Sequence, residues 1–389
     1  MDAEENKKTK KLLIVPGFYL PHIGGVETHI DEFSKYLSRR DYKITIFAPN
    51  IPETKDFELK YSGVKIIRYP AFILVPRNPL PKFWSPEFWG QVKKIIESNP
   101  DIVMTRTRFY FSTLFSFMFA KIFRKKFIHV EHGSDFLNTG TKFWDSISKI
   151  YDLIFGKFII NHSDKVIAIS NVSRKFLKEN LKINKEIPVI RRGVDFEKYG
   201  GIAAANLTGK YMHKIFICYF GRLRYWKGVE NSIKAVKLLD EKYKNKILFI
   251  IIGEGEEEKK LKKLAENEPV IFMGGVTEEE GISILKSCDI YIHSSYPGGA
   301  LSNSLLQAMY CKCAVIATPN EGADEVINDN ETGIFVDTKP EDIENKLVIL
   351  TDDEKLRKEL SNNAHEFIKK EFSWEENVNE YVKIFNELN

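Results

Sequence analysis

A chain of 389 residues, 43% hydrophobic and 29% charged, describes a soluble globular protein with length for two domains. The longest apolar run, residues 109–120, is too short for a membrane-spanning helix, which needs about 20 residues. The net charge of +4 hides an asymmetry: residues 1–200 carry 34 Lys+Arg against 22 Asp+Glu, and the remainder carries 24 against 32. Two halves of opposite sign predict two domains with different partners, the basic one suited to phosphate-bearing ligands or anionic lipid.

Lys11–Pro16 reads as a buried first strand, and a loop with Gly17, Gly24 and Gly25 follows it. Val26, Ile30, Phe33 and Leu37 recur at helical spacing, which predicts a helix over 26–40. Ile44–Ala48 and Val64–Tyr69 read as strands. Residues 70–86, rich in Pro and aromatics, read as an irregular surface loop. Helices are predicted over 87–98, 109–123 and 143–161. Strands are predicted over 101–105, 127–130, 165–169 and 187–190.

A break in periodicity near 197–212 marks a domain boundary. Strand and helix then alternate again: strands 215–220, 247–252, 270–273, 289–293 and 314–317, with helices 227–240, 256–266, 277–287 and 302–311 between them. Alternation implies a mostly parallel sheet covered on both faces. Two such blocks predict an α/β protein of two doubly wound Rossmann-like domains facing a cleft, with ligands at the carboxyl ends of the strands. The expected domains are 1–200 and 201–371. A last helix over 372–389, with Val378, Tyr381, Val382 and Phe385 on one face, is expected to pack back on the first.

Four stretches carry candidate chemistry. Gly24-Gly25, at a helix start, can hold an anion through backbone N–H groups or be a tight turn only. In Gly221-Arg-Leu-Arg-Tyr-Trp-Lys-Gly228, Arg222 and Lys227 sit five apart across a turn, able to converge on a diphosphate or to remain solvated loop cations. His132, after a strand and before Gly133, is placed to donate to a substrate hydroxyl or act as acid or base, or to be structural. The loop after His293 carries Gly298 and Gly299, and Ser302 or Asn303 caps a helix. No carboxylate stands between Ser294 and Gln307.

Other chemistries are excluded. The three spaced glycines of a dinucleotide fingerprint and the Gly-x-Ser-x-Gly elbow are absent. No cluster has metal-ligand spacing. Cys311-Lys-Cys313 lacks the spacer of zinc or redox pairs, so it and Cys218 and Cys288 are expected as free thiols in a reducing compartment. A charged N-terminus with no apolar core after it predicts no signal peptide.

The strings GFYLPHIGGVETHIDEFSKYL, VEHGSD, SDKVIAIS, IRRGVD, GRLRYWKG, IIGEGEEEKKLKKLA, VIFMGG, CDIYIHSS, SNSLLQAM and NDNETGIFV stand here in one order. In that order and spacing the chain resembles the family-four retaining glycosyltransferases of the GT-B fold over nearly its whole length. The resemblance implies transfer of a sugar from a nucleotide-sugar donor with retention at the anomeric carbon, and neither metal nor other cofactor. It implies Arg222 and Lys227 on the donor diphosphate, Gly24 and Gly25 beside the phosphates and the reacting sugar, and His132 on the donor sugar. Gly298, Gly299, Ala300, Leu301 and Gln307 would complete the donor loop. The family commonly has a Glu, seven residues and a second Glu, reading the sugar and the ribose. Here Gly299 and Gln307 hold those positions, and Arg192 stands where Asn is common.

The expected acceptor is a glycan or a lipid-linked molecule, met by the 70–86 loop and helix 109–123 in peripheral contact with a membrane. That helix can equally be a buried layer of its domain. No nucleic-acid partner is expected, and the expected location is the cytoplasm, peripheral at the inner membrane face. Two other readings stand beside this one: a non-catalytic member that binds nucleotide or glycan, and a nucleotide-sugar isomerase.

Overall fold

The computed structural model describes residues 9–75, 78–137, 142–207, 211, 213–297, 301–320 and 322–388. The chain divides into two compact units, Met1–Gly193 with Trp374–Asn389, and Val194–Ser373.

The first unit runs β1 (Lys11–Val15), α1 (Gly25–Ser38), β2 (Lys43–Pro49), β3 (Phe57–Lys60), β4 (Val64–Tyr69), β5 (Ala71–Val75), β6 (Asn78–Pro81), α2 (Pro86–Ser98), β7 (Ile102–Arg106), α3 (Phe111–Ile122) and β8 (Lys126–Glu131). Then come α4 (Lys142–Tyr151), one π turn (Asp152–Gly156), α5 (Lys157–Asn161), β9 (Lys165–Ala168) and α6 (Asn171–Glu179). Seven strands form one sheet in the order β3-β4-β2-β1-β7-β8-β9. All its pairs are parallel except β3 with β4. The central strands are apolar and buried along nearly their whole length, as a sheet covered on both faces requires.

Three of the elements expected in this unit differ from the sequence expectation, and β3 and α6 were not expected. Ala71–Val75 and Asn78–Pro81 pair as two antiparallel strands rather than forming an irregular loop, with Phe72 opposite Leu80. Their prolines, Pro79 and Pro81, need no ladder hydrogen bond because the pair stands apart from the main sheet. Around 187–190 a single bridge, Ala168 to Val189, replaces the expected strand. The helical run 142–161 is interrupted by the π turn, where Asp152 is drawn inward to Arg108 (Nε–Oδ2 2.9 Å).

The second unit runs α7 (Phe196–Gly200), β10 (Ile215–Phe220), a 3₁₀ turn (Tyr225–Lys227), α8 (Val229–Leu238), α9 (Glu241–Lys244), β11 (Ile247–Ile252), α10 (Glu258–Leu264), β12 (Val270–Gly274), α11 (Glu278–Leu285), β13 (Ile290–His293), α12 (Asn303–Tyr310), β14 (Ala314–Ala317), β15 (Ile334–Phe335), α13 (Pro340–Asp352) and α14 (Glu354–Glu371). Its six strands are all parallel, in the order β12-β11-β10-β13-β14-β15.

The final helix, α15 (Trp374–Glu387), returns to the first unit. Trp374, Val378, Tyr381 and Phe385 are buried in one cluster with Ile30, Phe33, Tyr36 and Leu37 of α1. Gly193 is required here, because a Cβ on it would lie 2.3 Å from the Trp374 ring. Arg192 finds its role at the same place. Its Nη2 and the Trp374 indole N–H both reach Glu32 Oε2, at 3.1 Å each.

Candidate active site

Each sheet reverses its strand order once, and open α/β sheets bind ligands at the carboxyl ends of the strands beside that reversal. In the second unit the reversal lies between β10 and β13. The loops that leave these strands are 221–228 and the one that opens at 294–297, so the topology itself selects the stretch that holds Arg222 and Lys227.

The two loops are locked together. Gly228, at φ +65°, stands against the Ser294 carbonyl, and a Cβ there would fall 1.9 Å from that oxygen. Ser294 Oγ donates to the Gly228 carbonyl at 2.9 Å and pairs with Ser232 Oγ at 2.7 Å. Tyr296 N–H donates to the Trp226 carbonyl (2.8 Å), and the Tyr225 and Tyr296 rings stack at 5.2 Å. Gly253, at φ +134°, does the same at the end of β11, where a Cβ would lie 1.9 Å from the Gly221 carbonyl oxygen. This rigid turn presents Arg222 exposed and Lys227 half-buried. Among the described residues the Arg222 guanidinium has no carboxylate partner. His293, buried at the end of β13, is held down at about 3 by burial and by the nearby Lys227 charge, so it is neutral at physiological pH.

Gln307, on α12, is buried. Its amide nitrogen donates to Tyr199 Oη at 2.8 Å and to Glu278 Oε1 at 3.0 Å, and Tyr199 Oη donates to that same carboxylate oxygen at 2.7 Å. Lys198 pairs with the other oxygen of Glu278. A carboxylate from the start of α11 therefore stands beside the position where the sequence has an amide. Leu301 packs against Gly322, itself at φ +74°. Gly298, Gly299 and Ala300 lie outside the described residues.

In the first unit the reversal lies between β1 and β7, and His132 follows β8 on the same edge. Arg106, the last residue of β7, is wholly buried. Its Nη1 lies 3.3 Å from His29 Nδ1 and 3.4 Å from His132 Nε2. A guanidinium can only donate, so both ring nitrogens accept. His132 then carries its proton on Nδ1, and His29 on Nε2. Burial first, and the Arg106 charge second, hold both imidazoles well below the usual histidine range. The two rings meet edge to face at 4.8 Å.

Beside them, Arg108 bridges Glu131 (Nη1–Oε1 3.2 Å) and Asp152, all three wholly buried. The two acids respond oppositely. Burial alone would raise Glu131, but Arg108, His129 and the Gly133 N–H (2.6 Å) overcome it and hold Glu131 at about 2. Asp152 receives only the Arg108 Nε–H, and burial lifts it to about 6.

Gly24 is the residue before α1 and Gly25 its first, with open space where a Cβ of Gly25 would stand. The Glu27 carboxylate folds back over this helix start and pairs with His22 Nδ1 at 3.0 Å.

Sequence reasoning thus named His132, Lys227 and Gln307 but not the partners that set their chemistry: Arg106, His29, Glu278 and Tyr199. A basic residue at the end of an apolar strand, as in Met104-Thr-Arg106, was the one local signal. The rest are contacts between distant positions. Among the described residues no group of three or more His, Cys, Asp or Glu side chains is placed to hold a metal ion. No described helix is long and apolar enough to cross a membrane.

Two family models match: Glycosyltransferase Family 4 over residues 23–198, and Glycosyl transferases group 1 over 205–367. An uncharacterized glycosyltransferase of Methanocaldococcus jannaschii is 47% identical over 97% of this chain and 98% of its own length. The N,N'-diacetylbacillosaminyl-diphospho-undecaprenol alpha-1,3-N-acetylgalactosaminyltransferase of Campylobacter jejuni is 25% identical over 95% of this chain and 98% of its own. Among solved structures, Anabaena HepE in complex with UDP superposes with a TM-score of 0.72, at 17% identity, over 97% of this chain and 100% of that one. The relatedness at 47% identity, joined to the two-unit parallel architecture, places the chain in the family-four glycosyltransferases of the GT-B fold, enzymes that use nucleotide-sugar donors.

Proposed function

We propose that the protein moves a sugar from a nucleotide-sugar donor to a lipid-linked or glycan acceptor, with retention at the anomeric carbon and without a metal. The observation that carries this reading is the locked turn 221–228, which presents Arg222 and Lys227 at the strand-order reversal of the second unit. The leaving group of such a transfer is a nucleoside diphosphate. Arg222, Lys227 and the N-terminus of α8 meet the charge that develops on it, the task a metal otherwise performs. A turn held in place before the reaction spends nothing on reorganisation.

His132 serves as a neutral hydrogen-bonding group for the donor sugar, with Nδ1 the protonated nitrogen, rather than as a charged acid. Gly24, Gly25 and the loop 298–300 give backbone N–H groups to phosphate or sugar. Gln307 and Glu278 together offer an amide oxygen and a carboxylate to ribose hydroxyls. The retaining course rests on the family resemblance. The lipid-linked acceptor and a peripheral membrane contact rest on the basic first unit and on the Campylobacter relative, whose name specifies a diphospho-undecaprenol acceptor.

A panel of nucleotide sugars, offered with polyprenyl-diphosphate-linked and free glycan acceptors, tests the proposal. The expected product is an α-linked disaccharide from an α-donor, seen by mass spectrometry and NMR, and undiminished by a chelator. Nucleotide binding without transfer or donor hydrolysis would favour the non-catalytic reading, and conversion of the free donor to an epimer the isomerase reading.

A further inference from the structure

Residues 143–158 are inside out, and the segment rejoins the core only at Ile159 and Ile160. The stripe it turns inward is Ser148, Asp152 and Gly156, small or polar residues four apart that close on Arg108. The face it turns outward is apolar: Phe143 (67% exposed), Ile150, Leu153, Ile154 (58%), Phe155 and Phe158. An amphipathic surface helix of a globular protein has the opposite arrangement. Arg108 explains the inner stripe, since a buried guanidinium needs a carboxylate and room to reach it. Nothing among the described residues explains the outer one, and a contiguous apolar face of this kind marks an interaction site.

Charge identifies what covers it. α3 adjoins the segment through Phe117 and Phe158 (ring centroids 6.0 Å) and through Lys121 Nζ, which donates to the His162 carbonyl at 3.0 Å. Its end adds exposed Ile122 together with Arg124 and Lys126. Lys149 and Lys157 lie on the segment itself. Of its two acids, Asp152 is buried on Arg108 and Asp145 is half-buried. Apolar side chains along one helix face, cations at the rim and little negative charge are what an in-plane helix at an anionic bilayer surface presents.

We propose that residues 143–158, with the end of α3, seat the first unit on an anionic lipid bilayer, apolar face down. The segment starts after the carboxyl edge of the sheet, where His132 emerges, and runs back to the amino edge, where α3 ends, so the seat lays this side of the first unit along the headgroups, where a lipid-linked acceptor stands. Its purpose rests on the lipid-linked reading of the acceptor. The surface itself does not.

The test is sedimentation of the full chain with vesicles of phosphatidylcholine, with and without phosphatidylglycerol. The expected result is binding to the anionic vesicles alone, weakened at least tenfold in the double variant Ile154→Glu/Phe155→Glu and several-fold in Lys149→Glu/Lys157→Glu. Calorimetric nucleotide affinity should be unchanged in both. Hydrogen exchange of the unaltered chain, which needs no variant to fold, should show vesicle-dependent protection within 143–158. A chain that stays in the supernatant with every vesicle overturns the proposal, as does an Ile154→Glu/Phe155→Glu variant that binds like the parent. So does centrifugation showing a dimer that the same variant dissolves, which would make a second copy the occupant. Vesicle binding without transfer to any lipid-linked acceptor leaves the seat standing and sinks the acceptor reading instead.

Discussion

The amide nitrogen of Gln307 and the Glu278 carboxylate stand 3.0 Å apart, and Tyr199 donates to the same oxygen. A glutamate at position 307 would replace that donor with a like charge. Gln307→Glu is therefore expected to lower stability by about 1 kcal/mol and to weaken nucleotide binding rather than restore it. The exchange Glu278→Gln/Gln307→Glu returns one amide and one carboxylate to the pair and should recover most of both losses. Denaturant midpoints and calorimetric affinities of the two singles and the double form the cycle. Simple additivity of the singles would refute the coupling.

Lys227→Ala should weaken nucleoside diphosphate binding about tenfold or more, the effect of one charge-assisted hydrogen bond. Nucleoside without phosphate should bind the variant and the parent alike. Equal loss for both ligands would mean that Lys227 supports the loop rather than the phosphates.

Arg106 is the buried charge that faces both His29 and His132. Arg106→Met removes that charge while keeping an unbranched, apolar side chain in the space. The His132 imidazole should then titrate closer to the ordinary histidine range, although burial, the larger cause, continues to hold it down. NMR of the His132 ring follows this directly. An unmoved titration would show that burial acts alone.

The acids beside Arg108 predict opposite pH trends. Glu131 is held at about 2, below its ordinary 4.5, so its stabilisation is complete above pH 4.5 and is lost as pH falls toward 2, by about 3 kcal/mol in all. Asp152 is lifted from 3.8 to about 6, so its contribution is present below pH 3.8 and is lost as pH rises through 6. Urea midpoints across this range should show Glu131→Gln flattening the acid limb and Asp152→Asn flattening the fall between pH 4 and 6. Parallel profiles for parent and variants would contradict the assignment.

Much of the fold was legible because it is periodic. Runs such as Ile247–Ile252 need burial on both faces whatever lies beside them, and the helix pattern of residues 26–40 appears as α1 within a residue or two. The turn 221–228 was legible for a local reason: glycines and cations between a strand and a helix have few uses. The strand pair 71–75 and 78–81 was not, because its prolines are disqualifying only where a ladder requires their N–H groups, and no ladder does.

By itself, then, the sequence determined the alternation of strand and helix, and with it the parallel sheets and the strand ends where Arg222 and Lys227 emerge in the second unit and His132 in the first. Only the tertiary structure decided what those groups are chemically. His132 is neutral because burial first, and then Arg106 on the neighbouring strand, holds its imidazole down, and Gln307 has a carboxylate because α11 begins beside α12. The apolar side of 143–158 faces outward because Arg108 claims the polar side. Periodicity is a property of neighbours along the chain, whereas charge state and exposure are set by neighbours in space.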